Sequence, residues 1–188
     1  GLDWCSNVNG LCAPVQKLQP DAANAASRLF FGYRVALSGS LAVVGAERQD
    51  GDAGAVYTFE RQADGKWLMQ GSKLQPTTVF SSYFGTPVSL SGQRLLVGAS
   101  GSSVVLRGSA YVFERTGGQW VQQAKLNAEA DGDRFGFAAS IDGDRALVGG
   151  CLGHAGIVAV PAVRGAPVHL PVPRSARPRP VLRGVDTR

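Results

Sequence analysis

Between Lys17 and Gly150 one set of short phrases occurs three times in the same order. The first round runs Lys17-Leu18-Gln19-Pro20, Phe31-Gly32, Val43-Val44-Gly45-Ala46 and Tyr57-Thr58-Phe59-Glu60-Arg61. The second runs Lys73-Leu74-Gln75-Pro76, Phe84-Gly85, Leu96-Val97-Gly98-Ala99 and Tyr111-Val112-Phe113-Glu114-Arg115. The third gives Lys125-Leu126, Phe135-Gly136 and Leu147-Val148-Gly149-Gly150, and then the pattern fails. Phe31 and Phe84 are 53 residues apart, Phe84 and Phe135 51. A chain with such a period folds by stacking supersecondary units, none of which can hide its apolar faces alone.

The residues between the phrases have the periodicity of short strands. In the first unit Tyr33 to Leu37 and Leu41 to Val44 flank Ser38-Gly39-Ser40, which reads as a hairpin. The second and third units repeat it around Ser91-Gly92-Gln93-Arg94 and Asp142-Gly143. A third strand carries Tyr57 and Phe59, or Tyr111 and Phe113, two residues apart and so on one face. After a polar turn a fourth strand carries Trp67 or Trp120. Four antiparallel strands in about 50 residues is the content of one β-propeller blade. The chain is therefore expected to be all-β, a partial propeller of about three four-stranded blades. Leu41 to Val44 and Leu95 to Val97 do not alternate, as expected of inner blade strands covered on both faces by neighbouring blades. Gly45 and Gly98 are expected where backbones approach closely, and each Phe of a Phe-Gly pair is expected to fill space between blades.

Composition agrees and excludes several functions. Of 188 residues 44% are hydrophobic and 18% charged, suiting a packed core, and 25 Gly favour turn-rich β-structure over helix. The net charge of +5 lies wholly in the tail, where Arg164, Arg174, Arg177, Arg179, Arg183 and Arg188 meet one acid, Asp186. No aromatic interleaving accompanies those arginines, so no nucleic-acid partner is expected. No apolar run is long enough to span a membrane, and none is expected to. Cys5 and Cys12 are close enough to close a short loop, while partly buried free thiols are the plainer account. His154 beside Cys151 lacks the further ligands of a zinc site. No nucleophile elbow, phosphate loop or dinucleotide fingerprint occurs, so no catalytic residue, cofactor or metal is expected.

Phe-Gly, then Gly-Ala, then Gly-x-x-Tyr-x-Phe resembles the FG-GAP repeat, the blade unit of the integrin α-subunit propeller and of many bacterial surface and secreted proteins. The residues that carry the resemblance are Phe31, Gly32, Gly45 and Ala46, then Phe84, Gly85, Gly98 and Ala99, then Phe135, Gly136 and Gly149. Gly150 departs from the alanine of the motif. The Lys-Leu opening and Phe-Glu-Arg followed by Gly-Gly-x-Trp are similar to the short bacterial form. Many family members bind Ca²⁺ through an Asp-x-Asp-x-Asp-Gly loop, but Ser38-Gly39-Ser40 and Ser91-Gly92-Gln93 offer no carboxylate and Asp142-Gly143-Asp144 only two. Asp50-Gly51-Asp52 and Asp131-Gly132-Asp133 do not recur in register and read as solvated turns.

The phrases divide the chain into residues 1–16, the end of a preceding blade or an irregular N-terminus; FG-GAP repeats at 17–72 and 73–124; an incomplete repeat at 125–160; and a Pro/Arg-rich tail at 161–188. Gly156 to Val160 can form a strand where the third Tyr-x-Phe strand is due. Five prolines from Pro167 to Pro180 then exclude a central strand, and a disordered tail is expected. The abrupt change points to a shifted reading frame or a truncated gene, and the chain reads as a fragment of a larger protein. Uncapped blades lead us to expect poor thermal cooperativity. The resemblance implies a non-catalytic module for protein or carbohydrate binding or adhesion, extracellular or in the cell envelope. Its partners would be a protein or glycan ligand held by the loops Ala46 to Gly54 and Ala99 to Gly108, and the missing blades of the parent protein. The alternative is a structural scaffold supporting another domain.

Overall fold

Short apolar strands joined by glycine turns build the sheets of this chain. Its computed structural model describes residues 7–8, 11–12, 16–20, 30–76, 82–101, 108–127, 134–150 and 155–159. A small hairpin pairs β1 (Asn7–Val8) with β2 (Leu11–Cys12). The first sheet holds β3 (Phe31–Ser38), β4 (Leu41–Ala46), β5 (Ala55–Arg61) and β6 (Trp67–Met69). The second holds β7 (Val88–Ser91), β8 (Arg94–Ala99), β9 (Ser109–Thr116) and β10 (Gln119–Asn127). The third holds β11 (Ala138–Asp142), β12 (Arg145–Gly149) and β13 (Ala155–Ala159). Strands pair antiparallel in chain order, so each sheet is a meander. The only helix-like segment among the described residues is the four-residue turn Gln49–Asp52, in which Asp50, Gly51 and Asp52 have left-handed φ. The chain is all-β, a partial propeller.

The first hairpin of each of the three larger sheets turns on two residues, and the first of them is Gly39, Gly92 or Gly143 at φ 58°, 55° and 55°. A positive φ at that position matches the turn to the right-handed strand twist, and glycine adopts it without a Cβ clash. The sheets stack through their first strands: β7 touches β3 and β4, and β11 touches β7 and β8.

Three apolar clusters fill the stack. Between the second and third sheets Leu96, Ala110, Val112 and Leu126 meet Ile141, Ala146 and Val148. Between the first and second, Val43 and Val56 meet Phe84, Val88, Leu95, Val97, Tyr111 and Phe113. On the opposite face of the first sheet Ala42, Val44, Tyr57 and Phe59 pack with Phe31, Trp67, Met69 and Leu18. Both strands without alternation, β4 and β8, are buried almost throughout.

Two details differ from the sequence expectation. First, β10 extends through Lys125 and Leu126, so the boundary drawn at 124/125 falls inside a strand. Leu74 likewise pairs with Val56 of the first sheet. The Lys-Leu phrase therefore closes a blade rather than opening one. A repeated phrase has no intrinsic start, and only the hydrogen bonds assign its phase. Second, β13 begins one residue before Gly156, and Ala155 takes the register position of Val56 and Ala110, because it pairs with Gly149 as they pair with Gly45 and Gly98. The first strand, β3, for which the sequence set no burial, is largely exposed. Cys5, Cys151, His154, Asp131-Gly132-Asp133 and the 161–188 tail lie outside the described residues.

Candidate functional site

The non-polar repeat residues converge at the junction between successive sheets. Phe84 forms a parallel bridge with Gly54, and Phe135 forms the same bridge with Gly108. The Phe84 N–H donates to Ala53 O at 3.1 Å, and the Tyr83 N–H to Asp52 O at 3.0 Å. Each Phe-Gly glycine has a positive φ, 92° at Gly32, 104° at Gly85 and 87° at Gly136. The residue before each Phe is also left-handed, at 64° in Phe30, 52° in Tyr83 and 47° in Arg134. A left-handed residue, a Phe and a second positive φ make one local bend, which turns the Phe ring into the stack and lays the Phe-Gly backbone on the preceding sheet. Phe84 is fully buried, edge-on to Tyr111 at 5.4 Å and Phe113 at 6.1 Å. Phe31 meets Tyr57 the same way.

The preceding sheet has to receive that backbone closely. A Cβ on Gly45 would strike Gly85 O, and one on Gly98 would strike Gly136 O. Gly54 and Gly108 face the backbone of Phe84 and Phe135 with no room for a side chain, at φ 82° and 74°. Ala46 and Ala99 are buried beside them, with Ala46 N and Ala99 N close to the Cβ positions of Gly85 and Gly136. Gly149 faces no following sheet among the described residues, and a Cβ there would meet only ordinary contacts with Ala138. Phe135 is partly buried against the second and third sheets, and the Gly136 N–H donates to Gly149 O at 3.1 Å.

One polar stitch repeats at the same interval, and two more join the second and third sheets alone. The Gly92 N–H donates to Ser38 Oγ at 3.0 Å, and the Gly143 N–H to Ser91 Oγ at 3.1 Å. The Ile141 N–H donates to Ser89 Oγ at 3.0 Å, and Arg94 Nη1 donates to Gly143 O at 3.0 Å. The Ser-Gly turns, which carry no metal-type carboxylates in the first two units, bind the turn of the next sheet. Arg115 of the second sheet makes a bidentate pair with Glu60 of the first, at 2.9 and 2.7 Å. Its hydrogen bonds hold the Glu60 carboxyl below the usual 4.5; partial burial pushes the other way, and the guanidinium charge adds to the lowering.

The loop after β4 joins the same junction. Tyr57 Oη donates to Gln49 Oε1 at 2.7 Å, with Gln49 fully buried. Thr86 Oγ1 donates to the Glu47 carboxylate, and Ser82 Oγ donates to Ala53 O at 2.7 Å. Asp50, read from sequence as part of a solvated turn, accepts from Lys73 Nζ at 2.6 Å and Gln75 Nε2 at 2.5 Å. The lysine of the Lys-Leu phrase thus ties the end of its blade to the loop. Of the loop assigned to ligand contact, Asp50 and Gly51 are exposed, while Gln49, Ala53 and Gly54 are buried. Residues 102–107 of the other loop lie outside the described residues.

Beside the loop runs a ladder of rings and guanidinium groups. Arg48 lies over Phe30 at 5.1 Å and over Tyr83 at 5.4 Å, Phe30 meets Tyr33 edge-on at 5.6 Å, and Arg34 lies over Tyr33 at 4.6 Å. Phe30 and Tyr33 are about half exposed. Among the described residues the full ladder does not recur. Thr86 and Pro87 stand at the places of Tyr33 and Arg34 in the second unit, and the third keeps one pair, Arg134 over Phe137.

Sequence reasoning did not assign Glu60 and Arg115 to each other, although the recurring Glu-Arg dipeptide was a signal for it. It had no signal for Phe30, Tyr83 and Arg134, whose side chains share nothing but a backbone conformation. Among the described residues no group of three or more His, Cys, Asp or Glu side chains is arranged to hold a metal ion. A family model described as FG-GAP repeat matches residues 15–59, 78–113 and 120–158, more than half of the chain. No curated protein gives a match.

Proposed function

This chain belongs to the FG-GAP repeat family, and from that premise we propose that it is a non-catalytic propeller module that binds a protein or a glycan at the cell surface or outside the cell. FG-GAP repeats are typical of extracellular proteins. The observation that carries the binding role is the ladder of Phe30, Tyr33, Arg34, Arg48 and Tyr83. Unlike the Glu60–Arg115 pair, which also occurs at the first junction and is largely buried there, the ladder leaves two of its rings about half exposed. Rings present flat apolar faces, and a guanidinium stacked on a ring can still offer its N–H edge to carboxylate, sulfate or carbonyl oxygens, a role that falls to Arg34 more than to Arg48, which already pairs with Asp52 at 4.0 Å.

The test uses the whole chain and a Tyr33→Ala/Arg48→Ala variant on an array of bacterial and host-surface glycans and extracellular-matrix proteins. A ligand bound by the parent and lost roughly 10-fold or more in the variant, with unchanged circular dichroism, supports the reading. Equal binding by both proteins, or no binding by either, removes it. The second reading, a structural scaffold, is favoured by the loop from Glu47 to Gly54, which is largely taken up by Thr86, Ser82 and Phe84 of the next blade. An array without ligands supports that reading.

A further inference from the structure

Two surfaces of the chain are halves of the junction it builds twice within itself. In the internal junctions one sheet contributes a central apolar side chain on its second strand, Val43 or Leu96, both fully buried. The next sheet contributes two side chains of its first strand, Val88 and Leu90 or Ala139 and Ile141, which pack in the same clusters. The third sheet presents the first half with no following sheet on it among the described residues: Leu147, in the place of Val43 and Leu96, is 46% exposed. The first sheet presents the second half: Val35 and Leu37, in the places of Val88 and Leu90, are 67% and 63% exposed.

The polar groups complement one another in the same sense. At the internal junctions Ser38 and Ser91 accept from the turn glycines Gly92 and Gly143, Ser89 accepts from Ile141 N–H, and Arg94 donates to Gly143 O. On the third sheet the corresponding places hold Asp142, Ser140 and Arg145, all exposed. On the first sheet they hold the Gly39 N–H and C=O and the Leu37 N–H. Asp142 in place of serine is the stronger acceptor, because its hydrogen bond to an N–H is charge-assisted. Apolar group, donors and acceptors all match in register.

We propose that the open face of the third sheet docks on the open face of the first sheet in a second copy of this chain, head to tail. Leu147 seats between Val35 and Leu37 of the other copy, Asp142 accepts from its Gly39 N–H, Ser140 accepts from its Leu37 N–H and Arg145 donates to its Gly39 O. The contact uses the inner strands, because Leu18 already packs on the outer part of the first sheet and Gln16 holds both the N–H and the C=O of Trp67 at 2.8 Å. A head-to-tail contact either closes into a ring or runs on as a filament. Two copies bring six blade sheets, within the roughly four to eight of closed propellers, so closure at the dimer is expected.

Sedimentation of the purified chain over a concentration series tests this, with a Leu147→Asp variant and a Val35→Asp/Leu37→Asp variant. All three positions are solvent-exposed, so the fold survives, which circular dichroism checks. The parent is expected to reach twice the chain mass, and each variant to associate roughly 30-fold or more weakly. Mixing the two variants restores one good junction and gives a heterodimer that neither forms alone; a symmetric contact would not. Asp142→Ser is expected to keep association and Asp142→Ala to weaken it. A parent that stays monomeric throughout overturns the proposal and leaves these faces to further blades of the same polypeptide. Variants that associate like the parent, or a mixture that fails to associate, overturn it equally.

Discussion

Gly54 and Gly39 both have positive φ, but they differ in what surrounds them. A Cβ at Gly54 would run into the backbone of Phe84, whereas at Gly39 nothing lies within 4 Å. Gly39→Ala is expected to cost about 1 kcal/mol, the strain of a left-handed alanine alone. Gly54→Ala adds displacement of the next blade and is expected to cost roughly 3 kcal/mol or more, as is Gly108→Ala. Urea unfolding of the variants measures the difference, and equal costs would mean that the close approach is absent. Glu60 carries the pH dependence. Its folded value lies below its unfolded value, so the Arg115 pair stabilises the fold above the unfolded carboxylate range and is lost as pH falls through the folded value. A double-mutant cycle with Glu60→Gln and Arg115→Met is expected to give about 1 kcal/mol at pH 7, shrinking as acidification carries the pH down through the lowered folded value. A coupling unchanged between those conditions would contradict the assignment.

The Lys-Leu phrase shows how strands and repeats relate. Leu126 is buried in the cluster shared by the second and third sheets, so Leu126→Ala is expected to cost about 2–5 kcal/mol. Hydrogen exchange should then accelerate in β11 as well as β10; acceleration confined to the second sheet would place Leu126 outside the junction. The sheets themselves were legible from the sequence, because apolar runs separated by Ser-Gly or Asp-Gly turns leave few alternatives, and so was their number, because Phe-Gly recurs. The phase was not, since Lys125-Leu126 looks the same whether it ends one blade or begins another. The left-handed residues before Phe-Gly were invisible, because Phe30, Tyr83 and Arg134 have no side-chain preference for that conformation. The ladder around Arg48 was also hidden: it joins residues of two units, and nothing in either unit alone marks it. Burial of β4 and β8 followed from their lack of alternation, but exposure of β3 depends on what lies against the first sheet and not on its own residues.

The molecule is a stack in which every sheet offers a receiving face and an inserting face, and the same atoms repeat along it. Self-association and the uncapped faces behind it are two expressions of that polarity, and both follow from the exposure of Leu147 on one side and of Val35 and Leu37 on the other. The turn amides report it most directly. Gly92 and Gly143 donate to Ser38 and Ser91 of the sheet before, while Gly39, in the same turn of the first sheet, has no such serine before it among the described residues. Amide hydrogen exchange in dilute protein is therefore the decisive measurement. Slowed exchange at Gly92 and Gly143 with near-unprotected exchange at Gly39 is predicted, with Ser38→Ala releasing Gly92 alone and Ser91→Ala releasing Gly143 alone. Equal rates at all three glycines, or release that ignores which serine was removed, would contradict the stacking in register on which the account stands.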